Sequence, residues 1–329
     1  MGTRWRTLRR RILTPDVSET SLDVRGFHKK SPAAQELLET VGKRFLEGYA
    51  YAAEAATVQE CADRLDQIPP RFRGFAYEGA GMGFGVRDGL PFGRSSNNDE
   101  FLAGPGEPHN YLILVGIGWA MARLPRFAWP KADKYDPVLR WLVLDGYGFH
   151  QAYFKTAKYV EGQYQEPRFP WPADDPTGYA ANAIDQGIGR AMWFIGGTDP
   201  EVVAGLIRGF GEERHADLWA GTGLAASYAC GGDEDELVKL AELAGPHRPS
   251  LAQGSAFATE ARVRAGLVVP HTVETARIFC DMTPDEAAKV CLDIRADLGE
   301  APMTGDLPTF EVWRRRIANE FVHLGGVSR

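Results

Sequence analysis

Apolar residues fall three and four places apart along much of this chain, the spacing of one face of an α-helix. Leu37, Leu38, Val41, Phe45 and Tyr49 mark such a face behind Ser31-Pro32 and predict a helix to about Ala56. A second, from about Val58 to Ile68, ends at Pro69-Pro70. Val202, Val203, Leu206, Ile207 and Phe210 form another stripe. It is opened by Thr198-Asp199-Pro200-Glu201, which offers a polar cap, a first-turn proline and a Glu placed for a capping box. Asp233 begins a helix to Leu243, with Leu237, Leu240, Ala241 and Ala244 on one side and Gly245 as its stop. Thr283-Pro284-Asp285-Glu286 repeats the start signature, and Phe310, Trp313, Ile317 and Phe321 predict a closing helix to about Leu324.

Between these amphipathic stretches lie helical runs of a different kind, each carrying Gly-x-Gly. The pairs are Gly79/Gly81, Gly116/Gly118, Gly146/Gly148, Gly187/Gly189 and Gly221/Gly223, with a weaker copy at Gln253-Gly254-Ser255-Ala256. Their first glycines lie 37, 30, 41, 34 and 33 residues apart. A glycine inside a helix costs about 1 kcal/mol relative to alanine, so a recurring pair needs a compensating cause. Close helix–helix approach supplies one. A phosphate-cradling turn does not, because no copy has the third glycine of a dinucleotide fingerprint. A period in this range means stacked supersecondary units. The fold expected is all-α, of αα-hairpin repeats stacked as a tetratricopeptide-like array or a closed α/α toroid. The repeats run over about 73–268, with capping helices over 272–324, in one domain spanning 31–329. Two long loops interrupt them. Leu90 to Pro108 is polar, with Ser95-Ser96-Asn97-Asn98; Tyr164 to Thr177 holds Phe169, Trp171 and four prolines and predicts a stiff, packed cover.

Composition narrows the partners. The chain has 329 residues, is 44% hydrophobic and carries a formal net charge of −7, which argues against nucleic acid. The exception is residues 1–30, a basic arm with Arg4, Arg6, Arg9, Arg10 and Arg11; it reads as a solvated tail, or as contact with an anionic membrane or an acidic protein. No apolar run of secretory type follows those arginines, and no stretch has the length of a transmembrane helix. Cys61, Cys230, Cys280 and Cys291 stand singly, as reduced and mostly buried thiols of a cytoplasmic protein do. No metal-site spacing and no flavin, nicotinamide or nucleotide motif is present, so no cofactor or metal is expected.

One position of the repeat is unusual. The residue before the first glycine is Glu78, Val115, Asp145, Gln186, Ala220 and Gln253 in turn. Stacked units would set these in a row, as a polar wall facing a substrate. The commoner use of such residues is helix N-capping and hydrogen bonding between repeats. The third copy places His150 where others have Ala120, Ala191 or Ala225, on a face with Gly146 and Tyr153. His150, with Asp145 or Glu78, forms the acid–base candidate set, although a hydrogen-bonded core histidine fits the same place. Tyr77, Trp119, Tyr147, Phe149 and Tyr153 are candidate aromatic walls, and Gln186, Arg190 and Gln253 candidate substrate contacts. Arg190 would anchor a carboxylate or pair with Asp185; Glu260 and Arg262 pose the same choice.

The segments Arg73 to Ala80, Val115 to Ala120, Leu142 to His150, Ala183 to Arg190 and Leu13 to Val17 resemble a bacterial family of unknown function. It is encoded beside enediyne polyketide synthases in actinomycetes, the UnbL-like proteins. The likeness covers nearly the whole chain. It implies a role in maturing an enediyne core from a polyketide-derived polyene, alongside a membrane protein resembling an electron-transport subunit and a large partner. It assigns no catalytic residue. Two readings follow: an accessory enzyme of proton transfer, cyclisation or isomerisation, or a non-catalytic scaffold that binds or shields the polyene.

Overall fold

Helices form where the stripes, caps and prolines predict them. The structure, a computed structural model, describes residues 3–90 and 96–325. In chain order its helices are α1 (Thr3–Leu13), α2 (Leu22–Arg25), α3 (Pro32–Glu54), α4 (Val58–Leu65), α5 (Pro70–Gly89), α6 (Asn97–Leu102), α7 (Asn110–Arg123) and α8 (Trp141–Phe154). Then come α9 (Ala180–Ile195), α10 (Pro200–Arg208), α11 (Glu212–Tyr228), α12 (Glu234–Leu243), α13 (Arg248–Arg264), α14 (Pro270–Thr275), α15 (Pro284–Leu298) and α16 (Thr309–Glu320). Two-residue strands at Met303–Thr304 and Leu307–Pro308 pair antiparallel. The fold is all-α. Ser31, Asp233 and Thr283 cap α3, α12 and α15, the last two in full capping boxes. At α10 the cap is Asp199, one residue later than the start signature suggested. Thr198 takes a left-handed φ of 65° instead and donates to the Gly231 carbonyl.

Seven of these helices lie side by side in the order α3, α5, α7, α8, α9, α11, α13, and glycine sets the spacing. A Cβ built on Gly116 would fall inside 3.0 Å of the Glu78 carbonyl in α5; one on Gly118 would strike the Val143 carbonyl in α8. Gly146 meets Val115 of α7 and Gly148 meets Ile184 of α9 in the same way. Gly187 and Gly189 meet Asp145 and Leu218; Gly221 and Gly223 meet Gln186 and Leu251. The register is constant. The first glycine faces the helix before it, at the residue preceding that helix's own pair. The second faces the helix after it, three residues ahead of that pair. The two ends of the row keep half a pair each. In α3, Gly48 packs on Ala76 of α5 and Leu46 stands in the other place; in α13, Gly254 packs on Ala220 and Ala256 stands in the second place.

Four of the six links in this row keep a return helix, α4, α6, α10 or α12, as the expected hairpin unit has it; two do not. Glycine helices pack directly on one another, and the returning segments form a shorter outer layer. α10 and α12 are genuine return helices that touch each other, but only short turns with irregular chain link α7 to α8 and α8 to α9. The row also curls. Phe75 of α5 meets Tyr228 of α11 with ring centroids 5.1 Å apart, and Tyr111 of α7 meets Phe257 of α13 at 6.4 Å. Helices distant in the row therefore share one interior.

Two further expectations change. The basic arm is a docked helix rather than a tail. Arg6 pairs with Glu60 at 2.8 Å, Arg10 with Glu54 at 3.0 Å, and Arg9 donates to the carbonyls of Ala53, Glu54 and Ala55, the free end of α3. Of the polar loop, Ser95 lies outside the described residues, but Asn97 and Asn98 begin α6 and are buried, with Asn98 donating to the Gly81 carbonyl at 3.1 Å. The proline-rich loop packs as expected: Trp171 is buried and donates to the Pro130 carbonyl, and Phe169 stacks on Trp129. All four cysteines are free and buried.

Candidate functional site

The residues that precede the glycine pairs all point into the shared interior. Phe45, the counterpart in α3, and Glu78 line one cavity; Val115 and Asp145 line a second; Asp145, Gln186, Ala220 and Gln253 line a third. They lie well inside their helices, so the N-capping reading falls. A second row follows one helical turn later on the same face: Met82, Trp119, Phe149, Arg190, Leu224 and Phe257. Arg190 is the one charge in that second row.

The first cavity is by far the largest of the three, about 680 Å³ of empty space including its mouth. Phe45, Phe75, Trp119, Phe149, Tyr153 and Phe194 make its walls, with Leu38, Val41 and Met82 between them. Pro15, Glu19, Leu46, Arg123 and Phe154 are partly or fully exposed and form the rim. Glu78 and Arg190 lie at the buried end. Arg190 donates to Asp145 Oδ1 and holds Glu78 Oε1 at 3.6 Å, beyond hydrogen-bond reach. Its guanidinium sits 5.2 Å from the Phe149 ring centroid. Glu78 Oε2 and the Trp119 indole N–H make no hydrogen bond.

The charges explain the protonation. Two buried carboxyls share one buried guanidinium. Burial alone would lower the pKa of Arg190, but Asp145 and Glu78 outweigh that and raise it. Burial raises Asp145 against the pull of Arg190. Glu78, buried and farther from Arg190, is pushed from 4.5 to about 7 by desolvation, with the Asp145 charge adding to the shift. One Arg⁺ with one Asp⁻ is neutral; a second anion has no partner. Glu78 therefore exchanges a proton near neutral pH, the property of a general acid–base.

Five candidates meet in this cavity: Glu78, Trp119, Phe149, Tyr153 and Arg190, with Asp145 behind Arg190. The others do not. His150 lies behind Trp119 and Phe154, its ring 5.4 Å and 4.6 Å from theirs. Burial, then Arg123 and Lys155, lowers its pKa to about 3, so it is a neutral core residue. Tyr77 donates to Asp66 and stacks on His109 on the outer side of α5. Tyr147 accepts from Gln151 and packs under Phe169. Arg190 does not pair with Asp185, which takes Arg214 in two hydrogen bonds of 2.8 and 2.5 Å. Glu260 pairs with Arg264, while Arg262 donates to the carbonyls of Arg71, Tyr228 and Leu267.

Gln186 and Gln253 belong to a plug at the far end of the interior. Arg314 of α16 donates to Asp217 at 2.7 Å, Glu311 at 2.9 Å, Tyr179 at 3.1 Å and Gln253 at 3.1 Å. Gln186 donates to Asp217 and Tyr179, and Tyr179 to Glu311. Sequence reading missed this cluster, because Tyr179, Glu311 and Arg314 lie outside the glycine register. It also missed Phe75 and Phe154; the turn-spaced face running through the pairs was the signal for Phe75.

A family model described as a protein of unknown function, DUF1702, matches residues 4–321. The chain belongs to the DUF1702 family. No curated protein and no solved structure matches it. Among the described residues of this DUF1702 chain, no cluster of three or more His, Cys, Asp and Glu is placed to hold a metal. No helix among them is long and apolar enough to cross a membrane.

Proposed function

We propose that the protein receives a flat, apolar polyene of polyketide origin in the aromatic cavity and moves a proton on it, as an accessory enzyme in maturing an enediyne core. One observation carries the chemistry: a carboxyl titrating near pH 7, without a full ion pair, at the closed end of an aromatic cavity. Glu78 takes a proton from an acidic C–H of the conjugated system and returns one to another carbon, shifting double bonds without an external oxidant. Arg190, held by Asp145, polarises a carbonyl terminus of the chain. Trp119, Phe149 and Phe194 stack on the polyene and exclude water. The membrane electron-transport-like protein and the large partner implied by the resemblance supply the polyene or take it onward, the protein working on the cytoplasmic side with peripheral membrane contact through Arg4 and Arg11, the N-terminal arginines left exposed.

The test is incubation of the purified protein with the synthase-derived polyene, followed by absorbance and mass. An isomerised product at unchanged mass is expected, with Glu78→Gln reducing its rate at least about a hundredfold. Binding without any change, identical in Glu78→Gln, selects the shielding scaffold; this second reading draws on the aromatic lining of the cavity, which would hold a polyene whether or not it reacts. An unchanged rate for Glu78→Gln removes the acid–base role.

A further inference from the structure

The docked helix α1 is inside-out. Its protein-facing side is the polar one: Arg6, Arg9 and Arg10 are engaged by Glu60, by the end of α3 and by Glu54. Its outward side is the apolar one. Trp5 is 49%, Leu8 45% and Ile12 68% exposed, and all three fall on one stripe at helical spacing. Arg4 and Arg11 are exposed beside that stripe, and the helix contains no acidic residue. An outward tryptophan with aliphatic neighbours, flanked by arginines, is the composition of a helix that lies in a lipid headgroup layer. The chain as a whole carries a net charge of −7, so the molecule outside α1 is acidic and has no comparable attraction for an anionic surface.

We infer that α1 seats this protein on an anionic bilayer, with Trp5, Leu8 and Ile12 entering the headgroup–acyl boundary and Arg4 and Arg11 pairing with lipid phosphates. The position of the helix gives the contact a use. α1 ends at Leu13, and Pro15, Glu19 and Thr20 are already part of the cavity lining. A seated α1 holds the cavity mouth beside the lipid. An apolar polyene then passes from bilayer to cavity with little exposure to water, a purpose that rests on the functional reading above, whereas the docking stands on the helix alone.

The experiment is flotation of the full chain with vesicles of phosphatidylcholine carrying about 30% phosphatidylglycerol, and with phosphatidylcholine alone. Binding to the anionic vesicles about tenfold above the neutral ones is expected, weakening as salt rises. Trp5→Ser/Leu8→Ser/Ile12→Ser should lose at least about tenfold in vesicle affinity while keeping its thermal midpoint, because the replaced side chains face outward. Arg4→Gln/Arg11→Gln should keep residual binding and lose the salt dependence. No vesicle binding by the native chain, or equal binding by the triple variant, overturns the inference. So does a dimer that the triple variant abolishes in sedimentation without any vesicle binding, since the face would then belong to a second copy. Polyene affinity, measured without vesicles, separates the two readings: intact affinity with no vesicle binding removes this one alone, and the reverse removes the cavity reading alone.

Discussion

Glu78 and His150 titrate in opposite directions, and that separates their roles. The folded pKa of Glu78, about 7, lies above its ordinary 4.5. The fold thus holds the proton more tightly than the unfolded chain does, and stability falls as pH rises through the window between the two values. Glu78→Gln should remove that slope, gaining about 3 kcal/mol relative to the native chain between pH 4.5 and pH 7. Denaturant midpoints across that range would measure it. His150 is depressed to about 3, below an unfolded value of 6.5. Its contribution is present above pH 6.5 and is lost as pH falls toward 3. His150→Phe should lessen the acid destabilisation between pH 6.5 and 4 by up to about 3 kcal/mol and leave polyene conversion within about threefold. The sequence named both residues as acid–base candidates. It could not rank them, because Glu78 gains its meaning from Arg190 on a helix three places along the row, and His150 loses its own to Trp119 and Phe154 in front of it.

At the scale of the helix, the glycine pairs make a sharper forecast. Gly118→Ala puts a methyl against the Val143 carbonyl and within 2.6 Å of the Tyr147 nitrogen, a backbone obstacle on a neighbouring helix. It should cost about 3 kcal/mol or more, above ordinary core overpacking because no rotamer relieves it. Gly205→Ala, on the exposed side of α10 with nothing nearer than 3.9 Å, should stabilise by up to about 1 kcal/mol. Urea unfolding of the two variants would show opposite signs. This part of the fold was legible, since a pair of glycines recurring inside apolar helices has few other causes. The partner helices were less so. The spacing of the pairs predicted a full hairpin in every unit, yet between Leu124 and Arg140 the chain returns through turns, because Pro125 and Pro130 interrupt any helix there.

For the molecule as a whole, the interior carries a polar plug at one end and the aromatic cavity at the other, and α16 determines which end is which. Arg314→Met strands Asp217 without its cation, leaves Glu311 with the exposed Arg315 as its cation, and should destabilise by about 3–5 kcal/mol. Adding Asp217→Asn should recover part of the loss, since the two changes act on one network. A double-mutant cycle in denaturant would read the coupling. Nothing in the local pattern announced this plug: Tyr179, Asp217, Gln253, Glu311 and Arg314 come from three helices, α11, α13 and α16, and the residue ahead of a fourth, α9, and only the curl of the row brings them together.

That curl has a fixed number of members, and the half-pairs in α3 and α13 show why. Leu46 and Ala256 occupy the places where a carbonyl of yet another tightly packed helix would have to sit. Copying a middle unit such as α8 would insert a segment already grooved on both flanks. Extending the series beyond either end would first require carving glycine into position 46 or 256, so the molecule carries its own stop marks.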